Sequence, residues 1–354
     1  MHIEFGSDID LESNNAFIKE NVNNKWLENS YLFRSSRDAI KYIAKIQDNC
    51  RLAFVPYLCC ESMIIPFEQY GKNVELYPLN SDYTINEEYF LNHIEKNSII
   101  LVSNYLGLKN DSKKENDFLE KLKNDYDAII VRDCTQSLEE ALFSDKSKDD
   151  YTIFSSRKWA GLPDGGILWS NKKIDITYDE ADFKYFDLKK KAMELKSKYL
   201  ETQDAYLKQE FMRYFKEAEE IIDNDKSIIE ISSFSKDLLY KIDFEKILKI
   251  RKEHIKQFEN EINNKVKVLS KGTNCSGQYA PIYVQNQKEL QKYLAENSIY
   301  CPVIWPTTQN KIDKEFDFCN DIISHMLAVP CDQRYTKEEI YFIISKINQF
   351  NEKE

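Results

Sequence analysis

Three short stretches of this sequence combine residue types that could do chemistry, and two of them lie beside runs of apolar residues. In Arg132-Asp133-Cys134-Thr135-Gln136 an acid and an amide sit three positions apart, directly after Ala128-Ile129-Ile130-Val131. An acid there can cap the next helix, or it can hold a proton on a basic nitrogen of a ligand. In the second stretch, Ser155-Ser156-Arg157-Lys158-Trp159 follows Ile153-Phe154 and precedes Gly165-Gly166-Ile167-Leu168-Trp169. The flanking apolar residues read as two strands that enclose Lys158, and enclosure favours a neutral, nucleophilic amine. The two glycines would let backbone come close to a ligand. The third stretch, Arg34-Ser35-Ser36-Arg37, opens the first helical pattern. Serines at a helix start usually cap it, yet the same free N–H groups and dipole also make an anion site.

Each stretch alone has an ordinary structural reading. Together, in the order cradle, acid, lysine and Gly-Gly, they match the needs of one cofactor, pyridoxal 5′-phosphate (PLP). PLP needs a lysine for its Schiff base, here Lys158, and an acid that keeps its ring nitrogen protonated, here Asp133. Its phosphate needs donors, here Ser35, Ser36 and Arg37 with Ser155 or Ser156. The Ser-x-x-Lys spacing from Ser155 to Lys158 adds a hydroxyl to that cradle.

The elements that must position these residues alternate. Arg37 to Gln47 reads as a helix, Leu52 to Val55 as a short strand, and Glu61 to Tyr70 as a helix stopped by Gly71. Val74 to Leu76, Ile99 to Val102 and Ala128 to Val131 read as further buried strands, with a helix over Glu115 to Lys123. Continuous apolar runs separated by helices predict an α/β fold with a mostly parallel sheet covered on both faces. Ligands of such sheets bind beyond the C-terminal strand ends. From Asp182 to Asn224 the pattern turns to long charged helices, read as solvated faces. Asp243 to Ile262 (helix), Tyr279 to Val284 (strand), Gln287 to Asn297 (helix), Val303-Ile304 (strand) and Lys337 to Phe350 (helix) follow. This predicts a large domain over 1–240 and a small C-terminal α/β domain over 241–354.

Composition narrows the class. With 354 residues, 42% hydrophobic and 31% charged, the chain can bury a sizeable core. A net charge of −11 argues against general nucleic-acid binding, which needs a basic face. The start of the chain does not read as a secretory signal, and no apolar run is long enough for a membrane span, so cytoplasm is the expected location. The eight cysteines include no C-x-x-C pair and read as reduced, mostly buried thiols. His2, His93, His254 and His325 lack the spacing of a zinc site.

At this level the chain resembles fold type I PLP enzymes, and among them the DegT-type sugar aminotransferases, over roughly residues 30 to 350. The resemblance is carried by Phe33-Arg-Ser-Ser-Arg-Asp-Ala-Ile40, Phe54-Val-Pro-Tyr-Leu-Cys-Cys-Glu-Ser62, Leu101-Val-Ser-Asn-Tyr-Leu-Gly107, Asp133 with Gln136, and Lys158. Ile299 to Pro306 and Val329 to Tyr335 are also similar to the family. It implies a glutamate amino donor, a keto acceptor such as a nucleotide-linked sugar, and a homodimer. It also implies cofactor contacts at Cys60, Tyr105 and Gln136, and substrate contacts at Arg37, Trp305, Arg334 and Tyr335. Cys60 stands where relatives place a ring against PLP, which leaves stacking to Tyr57 or Tyr105. Ile153 replaces the usual serine five residues before the lysine, and Trp159 a common asparagine. The element that completes a neighbouring subunit's site is not recognisable, and Ile231 to Ser235 is its candidate replacement. Competing readings are another PLP reaction (elimination, decarboxylation or racemisation) and a degenerate relative that only binds.

Overall fold

The apolar runs of the first half pack side by side because each is too hydrophobic to face water on either side. In the computed structural model, which describes residues 2–22, 24–109, 113–306 and 311–352, they form β1 (Ser30–Phe33), β2 (Leu52–Pro56), β3 (Asn73–Tyr77), β4 (Ile99–Ser103), β5 (Ile129–Asp133), β6 (Tyr151–Ser155) and β7 (Gly166–Ser170). The seven-stranded sheet has the order β1-β7-β6-β5-β4-β2-β3. Only β7 is reversed, running antiparallel to both β6 and β1. β4 and β6 are buried along their whole length. The connecting helices are α1 (Ser36–Ile46), α2 (Glu61–Gln69), α3 (Glu87–His93), α4 (Lys113–Tyr126) and α5 (Leu138–Phe143).

Register does the positioning. Ser103 at the end of β4 pairs with Asp133 at the end of β5, and Asp133 pairs with Ile153 of β6. The chemistry-bearing ends of three neighbouring strands therefore share one edge of the sheet, the edge where open α/β sheets bind ligands.

The charged section forms α6 (Lys184–Thr202) and α7 (Ala205–Asn224), two long helices packed against each other, followed by α8 (Ser233–Leu239). The solvated-face reading of these helices holds only in part, since Lys189 and Lys196 are buried. The remainder comprises α9 (Phe244–Glu261), β8 (Lys267–Val268), β9 (Ala280–Tyr283), α10 (Gln287–Glu296), α11 (Asp317–His325), β10 (Met326–Val329) and α12 (Lys337–Glu352). β9 lies between β8 and β10 in a small antiparallel sheet. The expected strand at Val303-Ile304 is not one. Pro302 and Pro306 flank it, and a proline cannot donate to a ladder, so Met326–Val329 takes the place beside β9 instead. One hydrophobic core runs from β2, β4 and β5 through Ile255 and Phe258 of α9 to Ile282, Ile343 and Ile344.

All eight cysteines are free, seven of them buried and Cys60 half-buried. Among the described residues no helix is long and apolar enough to cross a membrane. No group of three or more His, Cys, Asp or Glu among them could hold a metal ion.

Candidate active site

At the shared edge lies a cavity of about 520 Å³. Lys158 enters it from a tight 3-10 turn, Ser156–Lys158, that joins β6 to β7. The strands enclose its backbone as expected, but the side chain is exposed to the cavity, so the expected desolvated lysine is not what the structure shows. The turn is anchored by the next residue. Trp159 is fully buried, its Nε1 donates to Thr135 O at 2.9 Å, and the Arg251 guanidinium lies 4.5 Å from its ring centre.

Asp133 faces the same cavity. Burial raises its pKa, opposed by the hydrogen bond its Oδ1 accepts from Thr135 N at 2.8 Å and by the Lys158 charge. Such an acid gains from a cationic N–H partner. Around it, Ser103 Oγ, Thr135 Oγ1 and Gln136 Oε1 are buried cavity-wall atoms without a hydrogen-bond partner. Unpaired buried polar atoms are costly, and a ligand carrying ring nitrogen, hydroxyl and carbonyl groups would pair them.

At the other end, the two serines of the first helix separate. Ser35 is the N-cap of α1: its Oγ accepts from Asp38 N at 3.2 Å and is fully buried outside the cavity wall. Its hydroxyl therefore does not face the cavity. Ser36 lines the cavity with Oγ buried and unpartnered, beside Arg37. Ser155 also lines the wall, whereas the Ser156 hydroxyl turns away and donates to Gly165 O at 2.9 Å. The glycine pair serves protein contacts rather than a ligand. A Cβ on Gly166 would lie 2.1 Å from the Ser35 carbonyl carbon, and Gly165 holds φ +146° with the Ser156 hydroxyl against it.

The aromatic expectations divide as well. Tyr105 is buried behind the wall, edge-on to Trp305 at 5.5 Å, and Tyr57 donates to Asn320 Oδ1 at 3.0 Å, so neither ring faces the cavity. Cys60, Trp305, Tyr279 and Phe215 do face it. Arg334 and Tyr335 are not in the wall. Arg334 forms a two-point ion pair with Asp332 (2.7 and 2.9 Å) and donates to the carbonyls of Gly6 and Ser7, and the Tyr335 hydroxyl accepts from Gly6 N at 2.7 Å. These two residues fasten the N-terminal segment. Ile231 to Ser235 also lies outside this chain's cavity, where Ser232 pairs with Asp164 at 2.8 Å.

Several wall residues escaped the sequence reading. The fastened N-terminal segment brings Asp8 to the cavity. Burial works against its charge, but Lys189 and Lys196 outweigh it and hold the carboxyl below its ordinary pKa. Lys189, Phe215 and Glu219 come from α6 and α7, which roof the site. Locally those positions look like any charged helix face, and only the packing of the hairpin over the cavity distinguishes them. Arg157 sits inside the recognised lysine stretch, and Gln278 follows Gly277, whose φ of +74° marks a turn.

No family model matches the chain, and no curated protein matches it at a significant level. Solved structures do. The candidate sugar aminotransferase Spr1654 of Streptococcus pneumoniae, in its PLP form, superposes with a TM-score of 0.67 at 15% identity, covering 100% of this chain and 99% of that one. PseC of Helicobacter pylori, an aminotransferase involved in the biosynthesis of pseudoaminic acid, gives 0.63 at 13% identity over 99% and 100%. The sugar aminotransferase CalS13 of Micromonospora echinospora gives 0.61 at 11% identity over 91% and 87%. Likeness at such identity shows the fold alone, an α/β fold that this chain shares with these three proteins over most of their length.

Proposed function

We propose that this chain is a PLP-dependent aminotransferase that moves an amino group from glutamate to a keto acceptor, a nucleotide-linked keto-sugar. The observation that carries the reading is one cavity in which Lys158, the buried acid Asp133 and the unpaired polar atoms of Ser36, Ser103, Thr135 and Gln136 meet. That set fits PLP, with Lys158 as covalent anchor, Asp133 for the ring nitrogen, and Ser36, Arg37 and Ser155 for the phosphate. PLP, when bound, supplies an electron sink for the charge left on the substrate carbon.

This chain's residues do the rest. Asp133 holds a proton at the ring nitrogen by charge pairing. With the cofactor in place, Lys158 Nζ would act as the base that takes the proton from the donor Cα and as the acid that hands it on to the cofactor carbon. Trp305, Tyr279 and Phe215 wall the cavity with apolar surface that keeps water from the reacting carbon. Arg334, locked to Asp332, supplies no carboxylate site here, so recognition of the acceptor falls to Gln278, Tyr279 and Trp305. The sugar acceptor is supported by the neutral hydrogen-bonding and aromatic groups of these three residues within an otherwise charged wall, and two of the solved structures above are described as sugar aminotransferases. A homodimer, a cytoplasmic location and a domain division at residue 240 complete the reading.

Glutamate alone tests it. Purified protein loaded with PLP should release 2-oxoglutarate from glutamate without an acceptor, in at most stoichiometric amount, and Lys158→Ala should abolish this. No 2-oxoglutarate, together with equal PLP binding by Lys158→Ala, would refute the assignment. A product of elimination instead would replace transamination by another PLP reaction.

A further inference from the structure

We propose that Arg157 is a phosphate-holding residue of this cavity, and that Glu219 is an internal counter-anion that engages the cradle's cations until a phosphate monoester enters. The inference rests on the PLP reading given above and concerns residues which that reading leaves without a role.

Three cations converge on the single carboxylate of Glu219. Lys189 Nζ lies 2.7 Å from it, Arg37 Nη2 3.2 Å, and Arg157 Nη1 3.8 Å, while Arg37 Nη1 also pairs with Asp223 at 2.8 Å. The cations are largely buried, with side chains 7%, 20% and 17% exposed, whereas Glu219 on the roof helix is 37% exposed. The more exposed partner is thus the acid. Arg157 is under-used: Nη1 donates to Tyr185 Oη at 2.5 Å, but Nε is buried with no hydrogen-bond partner. Arg37 belongs to the first turn of α1, next to the unpartnered Ser36 Oγ, and Arg157 stands between Ser155 and Lys158 on the lysine's own turn. Because both guanidinium groups reach one carboxylate, they converge on one place in the cavity that Ser36 and Ser155 also line.

A phosphate monoester fits that place better than Glu219 does. It carries up to about two charges and three acceptor oxygens, against one charge and two oxygens for the carboxylate. An arginine fork offers two parallel donors to such a group. Glu219 and the phosphate then compete for the same cations. Removal of the acid should tighten phosphate binding, whereas a carboxylate that merely orients the arginines would, on removal, weaken it.

The test measures dissociation constants by calorimetry for PLP, pyridoxal and inorganic phosphate, with circular dichroism confirming that each variant is folded. Arg157→Gln should weaken PLP about tenfold or more, the usual range for a lost charged hydrogen bond, and leave pyridoxal, which lacks the phosphate, unchanged. Arg157→Lys should fall between. Glu219→Gln should tighten PLP and inorganic phosphate severalfold and leave pyridoxal unchanged. Equal weakening of PLP and pyridoxal in Arg157→Gln, or weaker phosphate binding in Glu219→Gln, would overturn the proposal. A wild-type protein that binds PLP without the visible band of a lysine-linked cofactor would sink the aminotransferase reading instead, and the phosphate titrations would still judge the cradle.

Discussion

Replacing Arg334 separates a structural role from a substrate-binding one. Its guanidinium makes two hydrogen bonds to Asp332, with side chains 6% and 10% exposed, and two more to the Gly6 and Ser7 carbonyls. Arg334→Met would leave the Asp332 carboxylate buried without its main partner, a loss of about 3–5 kcal/mol for a broken buried pair. The unfolding entropy of about 2.1 cal/mol/K per residue gives about 0.74 kcal/mol/K for a chain of this length, so the melting temperature should fall by about 4–7 °C. Removing both charges in Arg334→Met/Asp332→Leu should recover most of that loss, because two apolar groups replace a pair instead of stranding an ion. Scanning calorimetry or urea titration reads both variants. A single variant that melts within about 1 °C of wild type but raises KM for the keto acceptor would refute this reasoning and return Arg334 to the substrate site.

Other consequences are more compact. Asp133→Asn should keep the fold and the covalent link to Lys158 but lower kcat by orders of magnitude, read by glutamate-dependent release of 2-oxoglutarate, because an amide cannot hold the ring nitrogen's proton by charge. Ser35→Ala should cost about 1 kcal/mol of stability through loss of the helix cap and barely change PLP affinity, while Ser36→Ala should do the opposite; equal effects on both would contradict their separation. Lys196 is buried, and burial and the Arg334 charge lower its pKa to about 8. A base whose pKa is lowered on folding disfavours the folded state when charged, so stability should rise as pH increases from about 8 towards the ordinary lysine value. Lys196→Met should flatten that rise in urea titrations at several pH values.

The sequence carried Lys158 and Asp133 openly because their setting is local: an apolar strand, then a turn, then the side chain. It carried the strands of the large sheet for the same reason. What it could not carry was anything decided by one residue of helix phase or by distant packing. Ser35 and Ser36 are neighbours of one type, yet one caps α1 and the other faces the cavity. Gly165-Gly166 correctly signalled close approach, but the approaching groups are the Ser156 hydroxyl at Gly165 and the backbone of residues 35–36 at Gly166. Arg334 carries no mark that its partner is Asp332 two residues away and the N-terminal segment more than three hundred residues away. The α6–α7 roof is invisible for a related reason, since a lysine over a cavity and a lysine in water have the same local sequence.

The reversal of β7 has a further consequence, for assembly. β1 lies one strand away from β6 only because β7 fills the gap between them. The cradle after β1 and the lysine after β6 are separated by about 120 residues of chain but by roughly two strand spacings, about 10 Å, across the sheet. Neither can serve the cofactor until the last strand of the sheet has docked beside the first, a non-local closure that forms late when contact order is high. A bound cofactor would then bridge the final seam of the sheet, stabilising the completed state by mass action. Cofactor uptake would in this way report that folding is finished.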